Sequence, residues 1–257
     1  MYMVNEVYNE GYKYCQDMRI PCYDTDAAFC LKPASFMDMA QEIAYWAAQA
    51  LGFGYDDLQK HKTAWVLSRM HIHCEQLPKW RDAVVLKTWH KGADGLFFLR
   101  DFHLQTPEGA SLVRATSSWL VMDIETRRLV RGGDVLQLVD SDTRVLEDSI
   151  AEPAPKIVIP KDLPLEEKGS RTVSYSDVDI IGHTNNARYI VWAFDCLDYE
   201  LASGRRVSDV YINFNKETRP GETVQLMVAA TEEEGRPVRY VEGLADGKSA
   251  FVTKIVF

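Results

Sequence analysis

The chain has no apolar stretch approaching the roughly 20 residues needed to cross a bilayer, so no membrane association is expected. Its start, MYMVNEVYNEGYKY, carries neither a basic n-region nor an apolar h-region, and no secretory signal is visible. Positive charge is also scarce. The 29 Lys and Arg against 38 Asp and Glu give a formal net charge of −9, which argues against a general nucleic-acid-binding face but not against one small basic docking patch. The 5 cysteines (Cys15, Cys22, Cys30, Cys74 and Cys196) are odd in number and show no metal-like spacing. With the missing signal they point to free thiols in a reducing cytoplasm. No nucleotide-binding loop is present, since Gly52 and Gly54 in LGFGYDD follow a helical pattern rather than a strand. A GxSxG elbow is missing as well. His71 and His73 in MHIHC suggest a metal, but alternating polar residues on a strand explain them equally, and no metal or cofactor is expected.

What remains is a globular composition, 46% hydrophobic and 26% charged over 257 residues, enough for one large domain or two ordinary ones. The segment SFMDMAQEIAYWAAQAL reads as a helix over residues 35–51, with Ser35 as N-cap and Gly52 as the stop. Phe36, Met39, Ala40, Ile43, Ala47 and Ala50 form its apolar face. Strand-like runs follow: AWVLSRMHIHCE, AVVLKTWHKG, LFFLRDFHLQT and SLVRATSSWLVMD, separated by turn-like PKWRD, KGADG and TPEG.

The second half repeats this order. A helix is predicted from about Ala187 to Leu201, then strands in DVYINFNKE, ETVQLMVAATEE, RPVRYVEGLADG and SAFVTKIVF. Asp24-Thr-Asp26 precedes Phe36 as Asp177-Val-Asp179 precedes Tyr189, and Glu75-Gln-Leu-Pro78 resembles Glu217-Thr-Arg-Pro220. These matches indicate an internal duplication. The expected units are 1–140 and 168–257, with their sheets joined, and a linker over 141–167 whose EPAPKIVIPKDLP centre runs extended across a surface.

One stretch breaks the symmetry. SDVDIIGHTNNARYIVW places Asp179, His183, Asn185 and Asn186 at the start of the second helix, where N–H groups and the helix dipole favour anions. Helix capping accounts for each residue singly. The first half, however, keeps Asp26 but has neither a histidine nor an asparagine pair in AAFCLKPAS, which favours one working site in a duplicated scaffold. Glu217 is either a solvated strand end or the second carboxylate of that site. Cys196, flanked by Asp195 and Asp198, reads as a packing residue rather than a nucleophile.

At SDVDIIGHTNNARYIVW, INFNKETRPG and ATSSWLVMDIETRRLVR the chain resembles the acyl-[acyl-carrier-protein] thioesterases, over roughly residues 15–257. The resemblance implies an α+β tandem (double) hotdog, in which each long helix is wrapped by a curved antiparallel sheet. It implies hydrolysis of fatty acyl-ACP, with the carrier protein bearing its acyl-phosphopantetheine as partner, in a monomer or homodimer. The family's loop aspartate, histidine, asparagine pair and glutamate fall on Asp179, His183, Asn185 with Asn186, and Glu217. Two positions depart from the pattern: a family asparagine falls on Ile181 and a cysteine on Thr218. In this reading Glu217 is the general base, His183 shares its proton, Asp179 orients water or substrate, Asn185 and Asn186 position the substrate or oxyanion, and helix-start N–H groups hold the oxyanion. Met37, Met39, Ile43, Trp46 and Leu51 are candidates for the acyl pocket, although the same residues also read as core. Arg188, Arg205, Arg206, Lys216 and Arg219 are candidates for docking the acidic carrier protein. A hotdog dehydratase acting on 3-hydroxyacyl thioesters and a noncatalytic acyl-thioester sensor are the alternatives.

Overall fold

Long alternating runs make long strands, and the computed structural model joins them into one antiparallel sheet across residues 6–130 and 141–257, the residues it describes. Residues 1–5 and 131–140, which fall in the first expected unit, lie outside these. The first half supplies β1 (Val7–Glu10), β2 (Lys13–Arg19), β3 (Thr63–Cys74), β4 (Ala83–Asp94), β5 (Phe97–Gln105) and β6 (Ser111–Asp123). The second supplies β7 (Glu166–Thr172), β8 (Asp209–Phe214), β9 (Thr223–Glu233), β10 (Arg236–Ala245) and β11 (Lys248–Val256). Outward from the seam between β3 and β8 the order is β3-β6-β5-β4-β2 on one side and β8-β11-β10-β9-β7 on the other, with β1 beyond β2. The two halves are therefore laid out as mirror-ordered copies. β7 begins two residues inside the expected linker.

Helix α1 (Pro33–Ala50) starts two residues before the predicted position. Pro33 occupies the first turn, where its missing N–H has no intrahelical acceptor to lose, and Ser35 is buried inside the helix rather than capping it. Gly52, at φ +78°, ends the helix as expected. A short helix α2 (Tyr55–Lys60) follows. Gly54 at its start is needed for close approach, because a Cβ there would lie 2.6 Å from the Cα of Gln49. The second long helix is shorter than predicted: α3 (Asn186–Asp195) stops, and a separate turn of helix, α4 (Tyr199–Gly204), follows. Phe36, Met37 and Ile43 of α1 and Ile190 and Ala193 of α3 are fully buried in one core shared by both halves. Each large side chain contributes about 1.5–3 kcal/mol by leaving water. One helix wrapped by each half of the sheet is the double hotdog expected.

The seam pairs Arg69 with Asn213, His71 with Tyr211 and His73 with Asp209. Asp209 Oδ1 lies 2.9 Å from His71 Nε2 and 2.8 Å from His73 Nδ1, so three polar side chains bridge the halves. On the outer face the linker is strapped down at two points. Asp101, in a buried ion pair with Lys91 at 2.9 Å, accepts the Ile150 N–H, and Lys91 donates to the Ile150 carbonyl. Asn213 then accepts from Ile157 N–H and donates to the Pro155 carbonyl. Ile157, Ile159 and Leu163 pack over Val238 and Tyr240, which explains the extended, proline-punctuated course.

Candidate active site

The duplicated loops show what is scaffold and what is added. Asp26 Oδ1 accepts the N–H groups of Ala28 and Cys30, and its own N–H reaches the Cys30 carbonyl. Asp179 Oδ1 accepts from Ile181 and His183 in the same way, and its N–H reaches the His183 carbonyl. Both loops need one left-handed residue, Phe29 at φ +64° and Gly182 at +84°. Asp179 thus shapes the loop that carries His183, as Asp26 shapes a loop without a histidine.

The turns after β3 and β8 correct the sequence comparison. Leu31 N–H donates to the Pro78 carbonyl, and Thr184 N–H to that of Thr218. Lys79 N–H is capped by Asp82 as Arg219 N–H is by Glu222, and Arg81 and Gly221 both have positive φ. Pro78 therefore matches Thr218, and the counterpart of Glu217 is Leu77. Glu75 sits two residues away from that place, accepting from Ser111 Oγ. Alignment on Glu-x-x-Pro misled because the two motifs sit two places apart in turns that otherwise correspond, Pro78 and Thr218 each lying four residues beyond the end of their strand.

Between the second-half elements, His183 Nδ1 comes within 3.3 Å of Glu217 Oε2. Glu217 Oε1 is held by Arg219 at 3.0 Å and by Arg127, which arrives from the turn after β6 in the first half. Burial pushes the Glu217 carboxyl up, but the hydrogen bonds from Arg127 and Arg219 and the nearby His183 outweigh it and hold the group below the ordinary glutamate range. Thr218 is fully buried, with its hydroxyl bonded to Thr184 Oγ1 and Tyr189 OH at 2.7 and 2.8 Å. Where the family pattern places a cysteine, this chain has a structural hydroxyl rather than a free nucleophile.

Asn185 and Asn186 do separate jobs. Asn185 Oδ1 caps α3 by accepting from Ala187 N–H, and it also accepts from Gln41 Nε2 at 3.2 Å. Gln41 Oε1 in turn accepts from Asn186 Nδ2 at 2.8 Å. The cap fixes the orientation of all three amides, leaving the Asn185 NH2 as a donor outside the chain of bonds. Two helix-start donors expected to hold an oxyanion are already used: Ala187 N–H by this cap and Arg188 N–H by the Asn185 carbonyl.

A cavity of about 270 Å³ opens beside this cluster. Asp179, Ile180, Ile181 and Asn186 border it, and Gln41, Ala44, Tyr45 and Ala48 of α1 form one wall. Trp65, Phe98 and Trp119 line the sheet side, where Arg100 is also buried. Desolvation pushes the Arg100 guanidinium down to about 10. His183 and Glu217 do not line the cavity, but the loop that carries His183 does.

None of the five acyl-pocket candidates lines it. Met37 and Ile43 are buried in the core, Met39 packs against that core, and Leu51 supports the Phe53–Leu58 cluster. Trp46 is exposed and hydrogen-bonded to Glu42. The cavity uses a neighbouring stripe of α1, offset around the helix from the stripe that faces the core. Of the docking candidates, Arg219 touches Glu217, Arg188 pairs with Asp38 at 3.0 Å, and Lys216 lies 3.8 Å from Glu222 and from Asp246. Arg205 and Arg206 line a different groove. Sequence reasoning missed Gln41 and Arg127. Arg127 lies inside the third family-like block, which was the available signal; Gln41 had none.

His71, His73 and Asp209 form the one group among the described residues whose donor atoms, all within 4.8 Å, have the composition of a metal site. Their mutual hydrogen bonds already satisfy them, and Arg236 Nη1 at 4.0 Å from Asp209 Oδ2 opposes a further cation.

Comparison with known proteins gives the family and the fold. Residues 11–136 match the acyl-ACP thioesterase N-terminal domain and residues 164–257 the C-terminal domain. Oleoyl-acyl carrier protein thioesterase 1, chloroplastic, of Arabidopsis thaliana is 25% identical over 246 residues, covering 88% of this chain and 66% of the relative. Palmitoyl-acyl carrier protein thioesterase, chloroplastic, of Gossypium hirsutum is 27% identical, covering 89% of this chain and 58% of the relative. The chain thus spans less than two thirds of the length of either. An acyl-ACP thioesterase from Bacteroides thetaiotaomicron superposes with a TM-score of 0.77 at 23% identity, covering 96% of this chain and 98% of the other. The 12:0-ACP thioesterase from Umbellularia californica gives 0.80 at 20% identity with the same coverage. These two structures share the double hotdog fold.

Proposed function

Because the chain belongs to the acyl-ACP thioesterase family, we propose that it hydrolyses the thioester of fatty acyl-ACP to free fatty acid and holo-ACP. The observation that carries this reading is the His183–Glu217 pair beside the amide cluster at the mouth of a largely apolar cavity. The acyl chain lies in the cavity between α1 and the first-half sheet, with its carbonyl at the loop 179–186. Glu217, kept ionised by its arginines, draws a proton from water through Oε2, and His183 shares that proton and passes it on. The Asn185 NH2 donates to the developing oxyanion, a role expected of Asn185 alongside the backbone N–H groups at the helix start. The departing thiolate has a parent pKa of about 8.5 and so needs little protonation. Carrier-protein docking uses Lys216 and Arg188, whose present carboxylate partners an acidic surface would replace, while Arg219 stays on Glu217.

The test is purified protein with acyl-ACPs of graded chain length. Release of free holo-ACP thiol supports the reading. Enoyl product would instead indicate a dehydratase, and binding without turnover a sensor; either would overturn it.

A further inference from the structure

We propose that the groove between the loop 26–34 and helices α3 and α4 is a second ligand site, which takes a long-chain carboxylate. The duplication explains why there is space. Asp26, Ala27, Ala28 and Pro33 border this groove, at the places where Asp179, Ile180, Ile181 and Asn186 border the catalytic cavity. Cys30 stands where the other copy has His183, and Leu77 where it has Glu217. The acid–base pair is lost but the hollow is retained, with a volume of about 650 Å³.

The walls state what would fit. Leu77, Ile190, Phe194 and Leu197 make an apolar floor. Around it stand Lys32, Lys79, Arg205 and Arg206, and among the described residues none of the four makes an ion pair. Lys32 Nζ donates only to the Tyr23 carbonyl, and Arg206 reaches the Cys74 carbonyl at 3.5 Å. The two lining carboxylates are engaged elsewhere: Asp26 with its loop N–H groups and Asp195 with Arg171 at 2.9 Å. In a chain of net charge −9, this is a local reversal of sign over an apolar surface. Around the catalytic site, by contrast, Arg127, Arg188, Lys216 and Arg219 all have carboxylate neighbours.

An inorganic anion would leave the floor unfilled, and a neutral hydrocarbon would leave the cations unused. A fatty carboxylate satisfies both, with the head among the cations and the chain along Ile190 and Phe194. Without a histidine–carboxylate pair the site holds its ligand and does not turn it over. The ligand class coincides with the product proposed above, but the inference rests on the groove's own chemistry.

The test is photolysis of the full chain with a hexadecanoic acid carrying a diazirine, followed by peptide mapping. Label is expected on peptides from both the cavity and the groove. Two variants interrogate the groove: the charge reversal Lys32→Glu with Lys79→Glu, and Ala28→Trp, which fills it from an exposed loop. Either should lower groove labelling by roughly ten-fold or more, the loss of about one charge-assisted hydrogen bond or its packing equivalent. Thermal melts verify that both variants are folded, and cavity labelling should persist. Label confined to the cavity, or groove label indifferent to both variants, overturns the proposal. Acyl-ACP hydrolysis is assayed in parallel: groove labelling without any hydrolysis would sink the thioesterase reading and leave this site standing.

Discussion

Arg127 in the first half is ion-paired to Glu217 in the second, so a group from one copy sets the basicity of a carboxylate in the other. Glu217 must be ionised to act as a base. Replacing Arg127 by Ala removes part of what holds its carboxyl low, so burial will raise it. The acidic limb of the kcat/KM profile should therefore move to higher pH, while the rate on the plateau changes less. A profile that does not move would show that Arg127 only tethers the turn.

Chemistry should be confined to the second half. Glu217→Gln and His183→Ala are each expected to lower single-turnover hydrolysis by roughly 100-fold or more at saturating acyl-ACP. Glu75→Gln removes a charge but keeps an oxygen to accept from Ser111, and should leave the chemical step near normal. Near-normal cleavage by both second-half variants would defeat the assignment.

Gln41 holds the two asparagines from α1 through opposite ends of one amide. Gln41→Ala should lower kcat by about 10- to 100-fold through misplacement of the amide donors. Gln41→Glu keeps the bond accepted from Asn186 but loses the donation to Asn185. It should recover part of the rate, which separates positioning from simple packing. Equal losses in both variants with an unchanged melting temperature would point instead to steric shaping of the cavity mouth.

The seam predicts a pH dependence of stability. Burial would raise the Asp209 carboxyl, but hydrogen bonds from His71 and His73 prevail and push it well below the usual aspartate range. A group depressed on folding stabilises the protein above its unfolded pKa, and that stabilisation is lost as pH falls towards the folded value. Asp209→Asn should cost about 1.5–3 kcal/mol at neutral pH. It should also flatten the fall in stability below about pH 5. Urea unfolding across pH 3–7 measures both effects, and parallel curves for the two proteins would refute the linkage.

The long strands, the two principal helices and the duplication were legible because each carries a period or a repeated order. β7 was not: EEKGSRT has no apolar alternation, and all seven residues are exposed. The His183, Asn185 and Asn186 loop stood out by contrast with its twin: Asp26 and Asp179 shape the two loops alike and Asn185 caps α3, but capping accounts for neither His183 nor Asn186. Glu217 stood out chemically, yet its partner was misassigned to Glu75, because backbone hydrogen bonds rather than residue identity fix which positions correspond. The cavity wall was misread for a related reason. On a helix buried on much of its circumference, hydrophobicity does not distinguish the stripe facing the core from the stripe facing a void. Gln41 and Arg127 act across the two halves, and no local pattern reports a contact of that range.

β7 also bears on how such a sheet stops growing. It forms one outer edge, where backbone donors and acceptors invite a further strand. Its register with β9 slips between Glu167 and Gly169, and Gly169 adopts φ +134°. Glu166, Glu167, Lys168 and Arg171 crowd the same short segment. The kink spoils the template and the charges keep it hydrated, so the surface that is least informative about catalysis is the one that keeps neighbouring molecules from polymerising edge to edge.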